Sequence, residues 1–363
     1  MHHALYDRAA GQWKGGASQV TLAQVPRQMA EETRQRLTEA GAVRRDLKII
    51  EEGMVVQIPL SRGLGEAEIA QLREWGGETV LGKASPRKMR CTPFEEIAAL
   101  LPLPAALKPL LPRKWHMIGD VLVLRLTPEL DPYLAEIAST YARILGAKAV
   151  LRRKERVSGD YREPGVELIC GSETETVHVE NRVLFKFDPL RIMLSQGNVA
   201  ERKRMAYASS PKEIVVDMFA GIGYFTLPMA KHSHPRMIVA YEINPLAYRY
   251  LVENIALNHL TNVTPVLGDC RDAEEGVADR VIMGYVGTTH EYLPKAFRIL
   301  SARGGTIHYH ETSPLTLWPD RAVQRIGEAA KREGWGISTV GTRVIKSYAP
   351  GVVHGAVDVE VRD

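Results

Sequence analysis

The sequence predicts an α/β protein whose C-terminal half is a mostly parallel Rossmann-like sheet, preceded by a smaller α+β domain. Three observations predict it. From Ile214 onward short apolar runs and periodic segments alternate strictly, which is the pattern of a doubly wound parallel sheet. The first of these runs ends in Asp217 and a Gly221-Ile-Gly223 turn that opens a helical segment, as in strand-loop-helix ligand sites. The 363 residues, 45% hydrophobic and 25% charged, are enough for two or three globular domains.

The elements follow in order. Residues 1–45 read as an arm or cap, with a helix expected over 25–40. An apolar run at 54–60 is a strand candidate, Ser61-Arg-Gly-Leu-Gly65 a turn, and 66–75 has helical periodicity. Lys83, Arg87, Lys88 and Arg90 then place four cations in one loop-like stretch without a carboxylate. A proline-rich connection at 101–112 leads to a strand at 117–126, a helix at 133–145 and a strand at 147–151. Arg152, Arg153 and Lys154 begin a second basic run, and short antiparallel strands are expected at 166–170, 176–180 and 183–187. The expected domains are therefore 1–45, 46–187 and 188–363.

In the last of these, strands are expected at 214–217, 237–242, 263–267, 280–286 and 305–310, with helices at 225–231, 245–258, 292–300 and 319–333. Two long segments, 336–347 and 351–361, are joined by Tyr348-Ala-Pro-Gly351, so they close the sheet as an antiparallel hairpin.

Composition narrows the partners. A net charge of +4 is only mildly basic, so nucleic-acid contact must come from local clusters. The three cysteines, Cys91, Cys170 and Cys270, have no metal-ligand spacing and suit a reducing cytoplasm. No secretory leader is visible in the first residues, and no apolar run is long enough to span a membrane.

The chemistry lies at three successive strand ends. Glycines at 221 and 223 let backbone N–H groups approach a ligand. Glu242, ending the second strand, is placed to accept from both hydroxyls of a ribose, and Asp269, ending the third, from an adenine amino group. The loop lacks the third glycine of a dinucleotide fingerprint and the Gly-Lys-Ser/Thr of a triphosphate loop, which points away from NAD and ATP. His308 and His310 share one face of a strand with no further ligands at suitable spacing, so no metal is expected.

Asp217, Gly221, Gly223, Glu242 and Asp269 resemble the motifs of the class I S-adenosylmethionine-dependent transferases. That resemblance implies a class I methyltransferase-like fold and S-adenosylmethionine as cofactor. Four further segments resemble the tRNA wybutosine-synthesising 3-amino-3-carboxypropyltransferases: Ser195-x-Gly197-Asn198-x-x-Glu201-Arg202, Met283-Gly284-Tyr285-Val286, Thr289-His290-Glu291-Tyr292 and Ile307-His308-Tyr309-His310-Glu311. Trp115-His116-x-Ile118-Gly119-Asp120 is similar to the preceding domain that this family shares with its sister, the tRNA guanine-37 N1-methyltransferases. The resemblance spans residues 46–363.

It implies transfer of the aminocarboxypropyl group to the tricyclic wyosine-type base at position 37 of phenylalanine tRNA, in its anticodon loop, with methylthioadenosine released. Ser195, Arg202, Asp217, Phe219, Gly221, Gly223, Phe225, Glu242, Ile243, Asp269 and Cys270 would bind the cofactor. Ser195, Asn198, Arg202, Gly284 and Tyr285 would set its pose, with Ser195 and Asn198 also satisfying a helix start and Arg202 and Lys203 facing the cofactor carboxylate or an RNA phosphate. Lys83, Arg87, Lys88, Arg90, Arg152, Arg153 and Lys154 would contact RNA phosphates. An N1-methyltransferase and a non-catalytic RNA-binding module remain as alternatives. The first is disfavoured by Met283-Gly284-Tyr285-Val286, which replaces the Asn/Asp-Pro-Pro-aromatic tetrad of amino-group methyltransferases.

Overall fold

The computed structural model describes residues 6–7, 12–13, 18–85, 92–154 and 164–362. Arg87, Lys88, Arg90, Cys91 and Arg156 lie outside the described residues. The chain forms two compact units, Met1–Thr92 and Pro93–Asp363.

In the first unit, Ile50–Glu52, Val55–Pro59, Ser18–Pro26 and Glu78–Ala84 form an antiparallel sheet in that order. Helices Ala30–Glu39 and Glu66–Glu74 contribute Leu37 and Leu72 to a core with Val25, Val56 and Ile58. The expected helix over 25–40 is corrected at its start: the chain stays extended to Pro26. Proline disfavours helical backbone in the residue before it, so Val25 completes a strand and the helix begins after a short 3₁₀ turn. Residues 18–40, expected in an arm, thus supply a central strand and a helix of this sheet, which crosses the expected boundary at 45. Lys83 lies within the strand Glu78–Ala84 and not in a loop.

In the second unit, a small mixed sheet runs Val166–Cys170, Ala149–Arg153, Val121–Leu124, His116–Ile118. Helices Pro93–Leu100 and Leu134–Leu145 supply Ile97, Ile137 and Tyr141 to its core. The expected strand at 117–126 is split by a hairpin turn at Gly119-Asp120. Gly119 takes φ +55, and any Cβ there would stand 2.1 Å from Thr176 Oγ1. Among the described residues, Thr176–Glu180 and Val183–Phe187 form a separate two-stranded antiparallel sheet.

The main sheet has seven strands: β1 (Ile214–Asp217), β2 (Met237–Glu242), β3 (Val263–Leu267), β4 (Arg280–Met283), β5 (Gly305–Pro314), β6 (Gly336–Ala349) and β7 (Val352–Arg362). Their order is β3-β2-β1-β4-β5-β7-β6, parallel through β5 and antiparallel in the closing hairpin. The expected alternation and hairpin are both present. Two lengths differ. β4 ends three residues early because Gly284 turns the chain, and β5 runs on to Pro314 because β7 pairs with it from Gly305 to Pro314. Helices pack on both faces, Leu293–Ile299 and Asp320–Glu333 on one and Thr226–His232 and Pro245–Leu257 on the other. The strand reversal between β1 and β4 opens the carboxyl edge of the sheet, where such folds bind ligands.

Candidate active site

A cleft of about 1340 Å³ lies at the carboxyl ends of β1, β2 and β4. Beneath it, Asp217 is fully buried at the end of β1. Its Oδ1 accepts from the Phe219 N–H at 3.2 Å and its Oδ2 from the Thr226 hydroxyl at 2.7 Å, so one carboxylate ties the loop to the helix that follows. Burial pushes its pKa up to about 6, against the lowering effect of those two hydrogen bonds.

Glu242 at the end of β2 is held in the same way. Its Oε2 accepts from Gly221 N–H at 2.7 Å and its Oε1 from Asn244 N–H at 2.8 Å, and burial raises its pKa. Each oxygen keeps a second lone-pair direction for a ligand hydroxyl. The glycines between them are sterically required. Gly221 has φ +58 with the Tyr224 ring 2.6 Å from any Cβ, and Gly223 has φ +100 with Leu227 at 2.4 Å.

At the end of β3 the Asp269 carboxylate accepts from the backbone N–H of Arg271 and from its guanidinium, which holds its pKa below the usual range. That pair is exposed on the arginine side, so a ligand amine can compete for the carboxylate at low cost. Cys270 beside it is buried and its thiol is pushed up to about 12, which makes it a packing residue.

Aromatic rings wall the cleft. Phe219 stacks on Tyr285 at 5.3 Å and meets Tyr292 edge-on at 5.0 Å. Gly284 lies against the Phe225 ring, and Thr289 Oγ1 donates to the Tyr285 carbonyl at 2.8 Å, closing the turn after β4.

The segment before β1 departs from expectation. Arg202 donates from Nε and Nη2 to Glu180 at 2.7 and 2.6 Å and from Nη1 to the Ser195 carbonyl at 2.7 Å. It is therefore a buried clamp on the cleft-lining backbone, and its charge already faces a carboxylate. Neither Ser195 nor Asn198 caps the helix Val199–Met205 with its side chain; Ser195 Oγ instead faces Asn198 Oδ1 at 3.3 Å. Lys203 points away from the cleft, beside Tyr207.

Of the expected site residues, Ser195, Asn198, Arg202, Phe219, Gly221, Phe225, Glu242, Ile243, Asp269, Cys270, Gly284 and Tyr285 all line this one cleft. Asp217 and Gly223 support it from below. Three contributors escaped the sequence reading. Thr226 holds Asp217, the Tyr224 hydroxyl donates to the Met193 carbonyl, and Lys346 of β6 reaches Ser195 Oγ. Thr226 was within reach, being the first residue of the helix after the loop; the other two depend on tertiary contacts.

His308 and His310 are buried. His308 faces Asp358 Oδ1 at 2.6 Å and accepts from Arg280, and His310 faces His354 at 3.2 Å and Phe225. Burial lowers both pKa values, that of His310 to about 3, so it is neutral. Among the described residues no His, Cys, Asp and Glu group could hold a metal ion.

The basic runs separate. Arg152 is buried and pairs with Asp131 at 2.6 Å and Glu167 at 3.6 Å, so it holds the small sheet and does not face solvent as a phosphate contact. Arg153 and Lys154 do line the cleft rim, Lys154 paired with Glu167. Lys83 is exposed in the first unit. Among the described residues no helix is long and apolar enough to cross a membrane.

Three family models match the chain: the TRM5/TYW2 methyltransferase domain over residues 176–338, the TYW2 N-terminal domain over 97–174 and the tRNA methyltransferase 5 N-terminal domain over 24–68. The chain is 48% identical, over 68% of its length and 96% of the relative's, to a tRNA(Phe) (4-demethylwyosine(37)-C(7)) aminocarboxypropyltransferase of Methanocaldococcus jannaschii. It is 34% identical, over 94% of its length and 99% of the relative's, to the tRNA (guanine(37)-N(1))-methyltransferase Trm5b of Pyrococcus abyssi. Among solved structures it resembles Pyrococcus horikoshii TYW2 in complex with MeSAdo, with a TM-score of 0.69 and 44% identity over 74% of this chain and 99% of the other. The glycine cradle, the acidic strand ends and these likenesses agree: the chain belongs to the TYW2 family of class I transferases, sister to Trm5.

Proposed function

We propose that the chain transfers the 3-amino-3-carboxypropyl group of S-adenosylmethionine to C7 of 4-demethylwyosine at position 37 of phenylalanine tRNA, in the cytoplasm, releasing methylthioadenosine. The observation that carries this reading is the turn after β4. There Gly284 and Tyr285 stand where an amino-group methyltransferase presents carbonyl acceptors to a target nitrogen, and Gly284 packs directly on Phe225. The high identity to an aminocarboxypropyltransferase over nearly all of that relative supports it.

The cleft fits the cofactor. Glycine-lined backbone at 221 admits close approach, Glu242 suits the ribose hydroxyls and Asp269 the adenine amine, with Phe219 and Ile243 as apolar walls. When bound, S-adenosylmethionine supplies a sulfonium whose three attached carbons are all open to attack. In the proposed reaction a bond forms from base C7 to the γ-carbon of the methionine moiety, the γ-carbon to sulfur bond breaks with its electron pair going to sulfur, and the C7 proton leaves to solvent. The protein's task is orientation, which alone can supply much of the rate. Arg202 fixes the Ser195 backbone and Thr289 fixes the Tyr285 turn, and in this reading Arg153 and Lys154, which line the cleft rim, would meet the tRNA backbone.

The test is incubation with carboxyl-labelled S-adenosylmethionine and phenylalanine tRNA carrying 4-demethylwyosine. Label on the tRNA with methylthioadenosine as the small product is expected. S-adenosylhomocysteine with N1-methylated guanosine on precursor-free tRNA would overturn it in favour of the methyltransferase reading, which the match of residues 24–68 to the tRNA methyltransferase 5 N-terminal domain favours.

A further inference from the structure

We propose that Tyr348, near the tip of the closing hairpin, is the platform on which the acceptor base of the RNA stacks once it has left the anticodon loop. This deepens the reading above and rests on it for the identity of the base, but not for the group transferred.

The strand is built to put the ring there. A regular strand sends successive side chains to opposite faces, yet Lys346, Ser347 and Tyr348, three in a row, all line the cleft. Two interruptions in the pairing of β6 with β7 allow it, one between Val344 and Lys346 and one between Ser347 and Ala349. At the second, Ser347 lies opposite Val353 and Ala349 opposite Val352, so Tyr348 is the extra residue of a bulge, a device that re-aims a side chain. The bulge stands at the carboxyl edge of the sheet, because β7 begins at Val352 opposite Pro314, the end of β5. There the Leu315 N–H donates to the Gly351 carbonyl at 2.9 Å, which fastens the hairpin tip to the end of β5. The platform therefore rests on an anchored turn.

Exposure separates this ring from the others in the cleft. Tyr348 is 50% exposed, whereas Phe219, Tyr224, Tyr285 and Tyr292 are half-buried and Phe225 and Tyr241 are buried. Phe219 packs against both Tyr285 and Tyr292, so those rings shape the wall. Tyr348 instead offers its ring to whatever enters. The face of an aromatic ring is matched by another flat aromatic surface, while a phosphate calls for cations and N–H donors.

Two flat groups enter the cleft in the proposed reaction, the adenine of the cofactor and the acceptor base. Asp269 and Ile243, beside the ends of β3 and β2, suit the adenine. β3 is one border of the main sheet and β6 the other, so Tyr348 comes to the cleft from the border remote from the adenine end. That matches it to the acceptor base. A base that leaves the anticodon stack gives up the contacts on both its faces, and an aromatic side chain restores one of them.

Filter binding of the full chain, with methylthioadenosine present so that no transfer occurs, tests this on two RNAs. One is phenylalanine tRNA carrying 4-demethylwyosine, the other the same tRNA with an abasic sugar at position 37. Tyr348→Leu keeps apolar bulk and removes the ring. It should weaken the intact tRNA by about tenfold, the size of one base stacked on one aromatic ring, and leave the abasic tRNA within about twofold. Its affinity for S-adenosylmethionine in calorimetry should also stay within about twofold. Tyr348→Phe and Tyr348→Trp should bind the intact tRNA about as well as the unsubstituted protein. Unchanged binding of intact tRNA by Tyr348→Leu, an equal loss for both RNAs, or a matching loss of S-adenosylmethionine affinity would overturn the proposal and leave the reading above standing. Equal binding of the two RNAs by the unsubstituted protein would instead overturn both, since the base would then not be recognised at all.

Discussion

Gly284 and Phe225 are in such close contact that a Cβ at position 284 would stand 2.7 Å from Phe225 Cε2, closer than real side chains approach. The turn after β4 and the helix after the glycine loop are thereby fixed to each other across the cleft. Gly284→Ala should force one of them to shift, lowering turnover by about tenfold or more while costing about 1–3 kcal/mol of stability. Steady-state kinetics and thermal melting of Gly284→Ala check this, and pairing it with Phe225→Leu should recover part of the activity.

Arg202 and Glu180 form a pair in which the arginine is buried and the glutamate nearly so. Removing one partner strands the other, so Arg202→Met should cost about 3–5 kcal/mol in denaturant unfolding. The double substitution Arg202→Met with Glu180→Gln should be less damaging than Arg202→Met alone. Equal damage from both would mean that the arginine acts through its bond to the Ser195 carbonyl and not through the ion pair.

Asp217 sets a pH dependence whose sign follows from its raised pKa. Unfolded, it titrates near 3.8; folded, near 6. The folded state therefore holds the extra proton between those values, and the stability of the ligand-free protein should fall as pH rises from about 4 to about 6, then level. Asp217→Asn should flatten that slope in melting curves. Binding of a cationic sulfonium should run the other way, strengthening as pH rises through about 6, because the charged carboxylates favour it. Thr226→Val removes a bond that favours the ionised form, so it should move both transitions to higher pH.

The two neighbouring arginines of the small sheet should separate in assay. Arg153→Ala, at the exposed rim, should weaken tRNA binding by several-fold and reduce the slope of log affinity against log salt by about one. Arg152→Ala should leave that slope unchanged and lower the melting temperature, because it strips Asp131 and Glu167 of their partner. Filter binding at several salt concentrations distinguishes them.

What could be read from the sequence was local chemistry. Asp217 and Glu242 each end a strand whose apolar run is visible, Asp269 follows such a strand by two residues, and the glycines at 221 and 223 are required by the local backbone conformation. Arg202 shows the limit: its charge was visible, but its partner Glu180 comes from a separate hairpin that only folding brings near. Lys346 was hidden more deeply, because it reaches Ser195 from the far end of the chain through a register shift that apolar periodicity does not record. At Val25, helical periodicity gave the wrong answer where the constraint set by Pro26 would have corrected it.

The hairpin has a second consequence, for self-association. β6 is one border of the main sheet, and its pairing is interrupted at three places, between Thr339 and Gly341, Val344 and Lys346, and Ser347 and Ala349. β3, the other border, carries Pro265, which has no N–H to offer a neighbouring strand. Such irregular borders are poor templates for edge-to-edge addition. The interruption beside Lys346 thus also makes the outer border of this long hairpin a poor template for a strand of another molecule.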